Sequence, residues 1–502
     1  MVIRDFTRHS PKSALLALTL GAFGCLALAG CAAGSEDDGE GGSSGNVQPG
    51  PQFADAGGVT IREVAVYQAV KSDVFLNGAA QSPSTPIVAE RPAVVRVFVD
   101  VGEVTGGAIT ARLTVGENDP IDVPVDTLVT STEEDIASTI NFDIPAGLLA
   151  VGDSIGVELL EPADSSPGDN AGSKTGAIDV QAQRSNVLKI TIIPIRYNAD
   201  GSGRVPDTSD ATLESYRKLF LKIYPATDVQ VTLGDTFDWG QQVAYDGFGW
   251  DVLLNALGDK RAGSGAGFDE FYYGIFDPES SVQQYCSPGW CVLGLGFVGD
   301  PGATYSRAAI GVGFAGEESV WSAVHEVGHN HGLLHSPCGV QDADPNYPYA
   351  GGETAVWGMD ILDHELYPPT YKDLMGYCTP NWISDYVYEA MLDFRQAIDM
   401  QAKKTSASGA PTLEYERVSF GARGPQFLSS LKTDKAVGGE TVDVTTVDDS
   451  GAEHLVKGQF LHYDHIDGGV LLVARQSGEP RLRTLRARVV SEGVERVLEA
   501  RR

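Results

Sequence analysis

Residues 325–335 read HEVGHNHGLLH, and this short stretch holds four of the chain's nine histidines. His325 and His329 are four residues apart. On a helix that spacing puts both imidazoles on one face, one turn apart, within reach of a single ion. Glu326 adjoins the first of them and points into the neighbouring cleft, where it can hold and deprotonate a water. Zinc takes about four ligands, and a catalytic zinc keeps one position for water, so one more protein ligand is needed. Gly332 lets the chain leave the helix with positive φ. His335 lies three residues further on and folds back as the third ligand. His331 is two residues from His329 and faces another side, so it reads as a supporting or solvent-facing residue and not as a ligand.

The chemistry follows from that arrangement. Three neutral imidazoles leave the ion its full charge, so bound water is acidified towards neutral pH. Glu326 is the base that takes the proton and later delivers it to a leaving amine. The competing readings are a metal-free helix and a purely structural zinc. Three ligands with a glutamate beside them leave a position open, which a structural site does not do.

The chain has 502 residues, too many for one hydrophobic core, so several domains are expected. Hydrophobic residues make up 42% and charged residues 21%, the balance of globular protein. The formal charge of −32 argues against nucleic acid and against an anionic membrane surface as partners.

Residues 1–31 read as a targeting segment. Arg4, Arg8 and Lys12 precede an apolar run from Ala14 to Ala29, which ends in Leu28-Ala29-Gly30-Cys31. Small residues directly before a cysteine resemble the bacterial lipoprotein lipobox. That resemblance implies a lipid on Cys31 and a place in the cell envelope. Ala32 in the following position implies the outer membrane. The alternative, a transmembrane anchor, suits the run poorly because it is short for a bilayer span. Residues 32–58 are rich in glycine, serine and acid and read as a flexible tether.

Cys286, Cys291, Cys338 and Cys378 remain after the signal. In an exported chain they suggest two disulfides with three possible connectivities. Pairing Cys286 with Cys291 closes a tight loop, and pairing Cys338 with Cys378 ties the segment after the histidines to a later turn. A cysteine metal site is the alternative, with no CxxC spacing to support it.

Residues 59–186 carry short alternating strands separated by glycine, proline and asparagine, which predicts an immunoglobulin-like β-sandwich. Residues 187–402 mix strands and helices, as in an α/β domain. Within them, 316–332 predicts a helix ended by glycine, and 381–401 a second long amphipathic helix. Residues 403–502 return to short strands and predict a small C-terminal β domain. His462 and His465 in LHYDHID read there as part of a β-turn, with metal binding as the alternative. Asp342, Asp344 and Asn346 are spaced oxygens that could hold calcium, but no glycine or glutamate follows in register, so a solvated acidic loop is the better reading.

HEVGHNHGLLH resembles the metzincin metalloprotease motif HExxHxxGxxH at every fixed position. The resemblance implies a mixed sheet, a zinc-binding helix, a methionine turn beneath the metal and a C-terminal helix. Met375 in LMGYC takes the Met-turn role, and Tyr377, two residues on, becomes a candidate zinc ligand or oxyanion stabiliser, with simple packing as its alternative. The layout is similar to bacterial secreted or lipid-anchored zinc proteases related to the enterobacterial mucin-degrading metalloprotease. In that frame a Cys338–Cys378 bridge holds the floor of the zinc site. CVLGLGFVG, residues 291–299, becomes the edge strand on which extended substrate is added; an ordinary buried strand is the alternative. The expected function is a monomeric zinc endopeptidase acting on protein or glycoprotein. The rivals are an inactive metzincin-like surface adhesin and a zinc amidase acting on cell wall.

Overall fold

The computed structural model describes residues 53–102, 108–163, 172–341, 343–405, 412–421, 424–433, 437–475, 482–491 and 494–502. The signal segment, Cys31, most of the tether and Asp342 lie outside the described residues. Among the described residues no helix is long and apolar enough to cross a membrane.

Two antiparallel sheets come first. One contains the strands Val59–Tyr67, Ala69–Leu76, Ala93–Val101 and Ile140–Ile144, the other Ile109–Val115, Ile121–Val125 and Ser154–Pro162. They share one core, in which Val64, Val66, Val95 and Val97 meet Ala111, Leu113, Val157 and Leu159. Alternating β-branched residues supply one buried face per strand. Two boundaries differ from the sequence reading. The strand Phe53–Asp55 lies inside the expected tether, yet it pairs with Ser154–Pro162. The first sheet is also lengthened by Gly358–Asp360, a strand from far along the chain, paired to Ala69–Leu76. Backbone pairing at a sheet edge is indifferent to sequence distance, so strand patterns alone cannot locate such a partner.

The middle of the chain is built on a sheet in which Val229–Leu233, Leu188–Tyr197, Glu270–Phe276 and Ala308–Val312 run parallel in that spatial order. Gly294–Gly296 closes it as an antiparallel edge beside Ala308–Val312. The parallel strands read as near-continuous apolar runs because helices cover the sheet. Among the described residues five α-helices accompany this region: α1 (Asp210–Ile223), α2 (Trp250–Gly263), the short α3 (Val282–Tyr285), α4 (Glu317–Asn330) and α5 (Asp385–Thr405). Helix α1 opens with Ser209 accepting a hydrogen bond from the Thr212 amide. Helix α4 has two glutamates in its first turn, where the helix dipole favours negative charge.

Arg91 locks the first region onto the second. It is fully buried and donates to the carbonyl oxygens of Tyr224 (2.6 Å), Ala226 (3.0 Å) and Leu221 (2.5 Å) around the end of α1. The last region is an eight-stranded antiparallel sheet. It does not stand apart, because Tyr415, Leu431, Leu461, Tyr463 and Leu472 share a core with Trp250, Leu254, Phe297 and Tyr305. Its polar clamp is Arg417, whose Nη2 donates to Asp259 Oδ2 at 2.9 Å and whose Nη1 donates to the Tyr305 hydroxyl at 2.7 Å.

Candidate active site and metal centre

Helix α4 is almost wholly buried, and its polar residues are spent on position. Asn330 donates to the carbonyls of Phe297 (2.9 Å) and Ala308 (3.1 Å), which ties the helix end to the two outer strands of the sheet. Tyr224 donates its hydroxyl to the Val324 carbonyl at 2.7 Å. The helix stops at His331. Gly332 then takes φ 79°, its amide donates to the His329 carbonyl at 2.8 Å, and the Leu333 amide reaches the Gly328 carbonyl at 3.4 Å. That is the Schellman pattern, which needs a residue at ease in the left-handed region. The turn sends the chain back along the helix and brings His335 to the other two histidines.

His325, His329 and His335 converge. The His325 and His329 ring centroids are 4.8 Å apart, and His335 lies 5.4 and 4.6 Å from them. His325 Nδ1 meets the Leu374 carbonyl at 2.7 Å, and His329 Nδ1 meets the Leu333 carbonyl at 2.8 Å. A carbonyl only accepts, so both Nδ1 atoms carry the proton and both Nε2 atoms present a lone pair. Those two Nε2 atoms are 3.1 Å apart. Two acceptors at that distance need a cation between them. Tetrahedral zinc with bonds of about 2.0–2.1 Å sets neighbouring nitrogens about 3.3 Å apart, so the residues fit zinc. Burial keeps these rings neutral, as ligands must be; it pushes His329 down to about 4 and His325 and His335 well below the usual histidine range.

Beneath the helix, Met375 is buried, and a Cβ on Gly328 would stand 2.7 Å from its sulfur. The turn around Met375 is set by Asp373, whose Oδ1 accepts from the Met375 amide and whose Oδ2 accepts from the Ser384 amide, both at 2.8 Å. Cys338 and Cys378 are bridged, with Cα atoms 5.7 Å apart, and the bridge joins the loop after His335 to the end of this turn. Cys286 and Cys291 form the other bridge. The Tyr377 hydroxyl lies 3.2 Å from His335 Nε2, at the rim of the cluster.

Two sequence expectations need correction. His331 does not face solvent. Its ring stacks on Phe271 at 4.6 Å and packs against Tyr224 and Phe394, and burial pushes it down to about 3. The helix packs between the sheet and α1, and Phe394 of α5 closes over its end, so the face away from the metal is also interior. Asp344 is committed to local structure, with its carboxylate accepting from the Tyr386 hydroxyl at 2.8 Å and the Asn346 amide at 2.9 Å. The second correction is His465, read from sequence as part of a β-turn on the C-terminal domain. That turn reaches the site.

His465 Nε2 lies 2.9 Å from Glu326 Oε1, and its ring stacks near His325 at 5.2 Å and His335 at 4.9 Å. The Tyr377 hydroxyl also contacts His465 Nδ1. Asp464 Oδ2 is 3.2 Å from His329 Nε2. One ligand atom from each of His325, His329, His335 and His465 falls in a group no wider than 4.8 Å, and Glu326, His329, Asp464 and His465 form a second such group. Burial raises Glu326 above the usual carboxylate range, and burial together with the Glu326 charge raises Asp464 to about 7. The sequence offered a faint signal, two histidines three apart in a chain otherwise poor in them. By contrast His462 turns outward to Glu440 at 3.1 Å.

A buried imidazole cluster that fits a cation, two of its rings on a helix beside an antiparallel edge strand, defines the donor set of a zinc metalloenzyme. More particularly, residues 300–386 match the Peptidase M66 family, a stretch running from the loop before the Ala308–Val312 strand to the first turn of α5. No curated protein matches the chain. A solved structure titled "putative beta-galactosidase from bacteroides fragilis" aligns over 88% of this chain and 73% of its own, at 11% identity. Its TM-score is 0.14, too low to carry any argument about fold.

Proposed function

We propose that the chain is a zinc endopeptidase acting on protein or glycoprotein, with His325, His329 and His335 as zinc ligands and Glu326 as general base. The observation that carries this is the pair of Nε2 lone pairs 3.1 Å apart, with the Glu326 carboxylate one residue from His325 on the same helix. Zinc bound there supplies a Lewis acid for the scissile carbonyl and lowers the pKa of water. Glu326 holds that water by a hydrogen bond, takes its proton and passes it to the leaving amine. The raised affinity of buried Glu326 for a proton suits a group that must accept one and give it back.

The glycines of the edge strand support this role. A Cβ on Gly294 would overlap the Glu326 carboxylate, and a Cβ on Gly296 would stand 2.9 Å from the Glu326 carbonyl. Bare backbone there leaves room for the base and for an extended peptide laid along the edge. Met375 acts as the Met-turn, a floor that fixes the helix, and Tyr377 is placed to donate a hydrogen bond to an oxyanion. The first region is read as an immunoglobulin-like accessory domain.

The deciding experiment is Glu326→Gln in the purified chain. Zinc content should stay at one per chain while hydrolysis of a broad peptide library falls by about 10²–10⁴-fold, the usual worth of a general base. Equal turnover by both forms would refute the assignment. We also place a diacylglyceryl anchor on Cys31 and the protein in the bacterial envelope, on the strength of the Leu28-Ala29-Gly30-Cys31 sequence. Labelled palmitate should enter the expressed chain and should be absent from Cys31→Ser.

A further inference from the structure

The hairpin that carries His465 does two things at once. Its backbone lies on the edge strand's continuation: Tyr463 forms an antiparallel bridge with Phe297, and the Val298 amide donates to the His462 carbonyl at 3.2 Å. Asp464 then takes the Gly296 amide through Oδ1 at 3.0 Å. These are the main-chain groups an added peptide would use. Its side chains fill the reacting centre: His465 Nε2 holds Glu326 Oε1, Asp464 Oδ2 faces His329 Nε2, and His465 offers a nitrogen within the same narrow group as the three ligand histidines. Both side chains are fully buried.

The hairpin is braced from behind. The Tyr463 hydroxyl accepts from Asn255 of α2 at 2.5 Å and bonds Ser419 Oγ at 2.9 Å, and Ser419 Oγ donates to Asp251 Oδ2 at 2.9 Å. Arg417 clamps the same sheet to Asp259. A substrate and this hairpin cannot hold one edge strand and one carboxylate together. A cavity of about 950 Å³ adjoins the hairpin and the cluster, lined by His329, His335, Tyr377, His462, Asp464 and His465.

We propose that His465 is a fourth imidazole for the zinc, delivered by the C-terminal domain, and that residues 462–465 occupy the edge strand as a substrate mimic, so that this conformation is a closed, latent state. The proposal rests on the zinc peptidase reading above. Opening requires the hairpin to leave the cleft and release the contacts of Tyr463 with Asn255 and Ser419, with α4 and its three histidines in place. A latch closed for about nine-tenths of the time weakens an active-site ligand about tenfold.

The test uses the full chain loaded with Co²⁺ in place of zinc, since the visible absorption of cobalt follows the number of its ligands. His465→Ala should shift that spectrum, weaken cobalt binding, tighten the binding of acetohydroxamate about tenfold and raise peptide-library cleavage by a similar factor. His465→Phe keeps the ring stacking without either nitrogen, and it should behave alike if the alanine variant fails to fold. An unchanged cobalt spectrum with unchanged hydroxamate affinity would overturn the proposal while leaving the zinc site intact. Cleavage that falls in a variant still binding cobalt would also overturn it, because His465 would then serve catalysis and not closure. Failure of the unaltered chain to bind cobalt at all would defeat the zinc reading itself.

Discussion

Gly328 and Met375 meet with no room for a methyl group between them, since a Cβ on the glycine would come within 2.7 Å of the methionine sulfur. Two effects of Gly328→Ala oppose each other. Alanine gains about 0.8–1.0 kcal/mol of helix propensity, while overpacking a filled core costs about 1–3 kcal/mol. Met375 is fully buried, so any shift of its thioether displaces packed neighbours and the clash should win. Gly328→Ala should therefore lower the denaturation midpoint and weaken zinc binding. Made in a Met375→Ala background, the same change should be neutral or stabilising. Additive effects in that cycle would refute the contact.

Arg91 carries a charge into the interior and donates to the main-chain carbonyls of Leu221, Lys222, Tyr224 and Ala226. Burial lowers its proton affinity, yet guanidinium remains charged in the neutral range. Arg91→Ala removes the guanidinium donors from the end of α1, and hydrogen bonds to charged groups are worth about 1.5–3 kcal/mol each, so a loss of several kcal/mol is expected. Arg91→Lys should recover little, because one ammonium cannot span three carbonyls set around a helix end. Urea titration of the two variants measures the difference.

The two disulfides close loops of very different size, with separations of 40 and 5 residues. On chain entropy alone the longer loop is worth about 4 kcal/mol and the shorter about 2 kcal/mol. Cys338→Ser with Cys378→Ser should be the more destabilising pair. It should also cost activity, because that bridge joins the loop after His335 to the turn holding Tyr377. Cys286→Ser with Cys291→Ser should leave turnover per folded molecule near normal. Thermal melts and active-site titration separate the two effects.

Asp277 sits at the end of the Glu270–Phe276 strand, away from the histidines, and burial raises it to about 6. A carboxyl that binds its proton more tightly folded than unfolded destabilises the fold wherever it is ionised. Its cost is present in full above about pH 6 and fades as pH falls towards the unfolded value of about 3.9. Asp277→Asn should raise the melting temperature at pH 8, with the gain disappearing near pH 4. A gain that persists at pH 4 would mean packing, not charge, is responsible.

What the residues determine unaided is local. The four-residue spacing of His325 and His329, the bend at Gly332 and the return of His335 follow from helix period and glycine's left-handed freedom, which act within a few residues. The alternation in 59–101 and the apolar runs of 188–197 and 270–276 likewise follow from strand geometry and the faces each sheet must bury. What only the tertiary structure decided is non-local. Whether His331 meets water depended on Phe271 and Phe394 closing over it. The pairing of Gly358–Asp360 with Ala69–Leu76 depended on which sheet edge stood open. The approach of His465 to Glu326, across 139 residues, depended on how the last sheet docks on α2 through Arg417, Tyr463 and Ser419. Docking is governed by the sum of many buried contacts between separate cores, and no periodicity within the hairpin itself encodes where that hairpin will point.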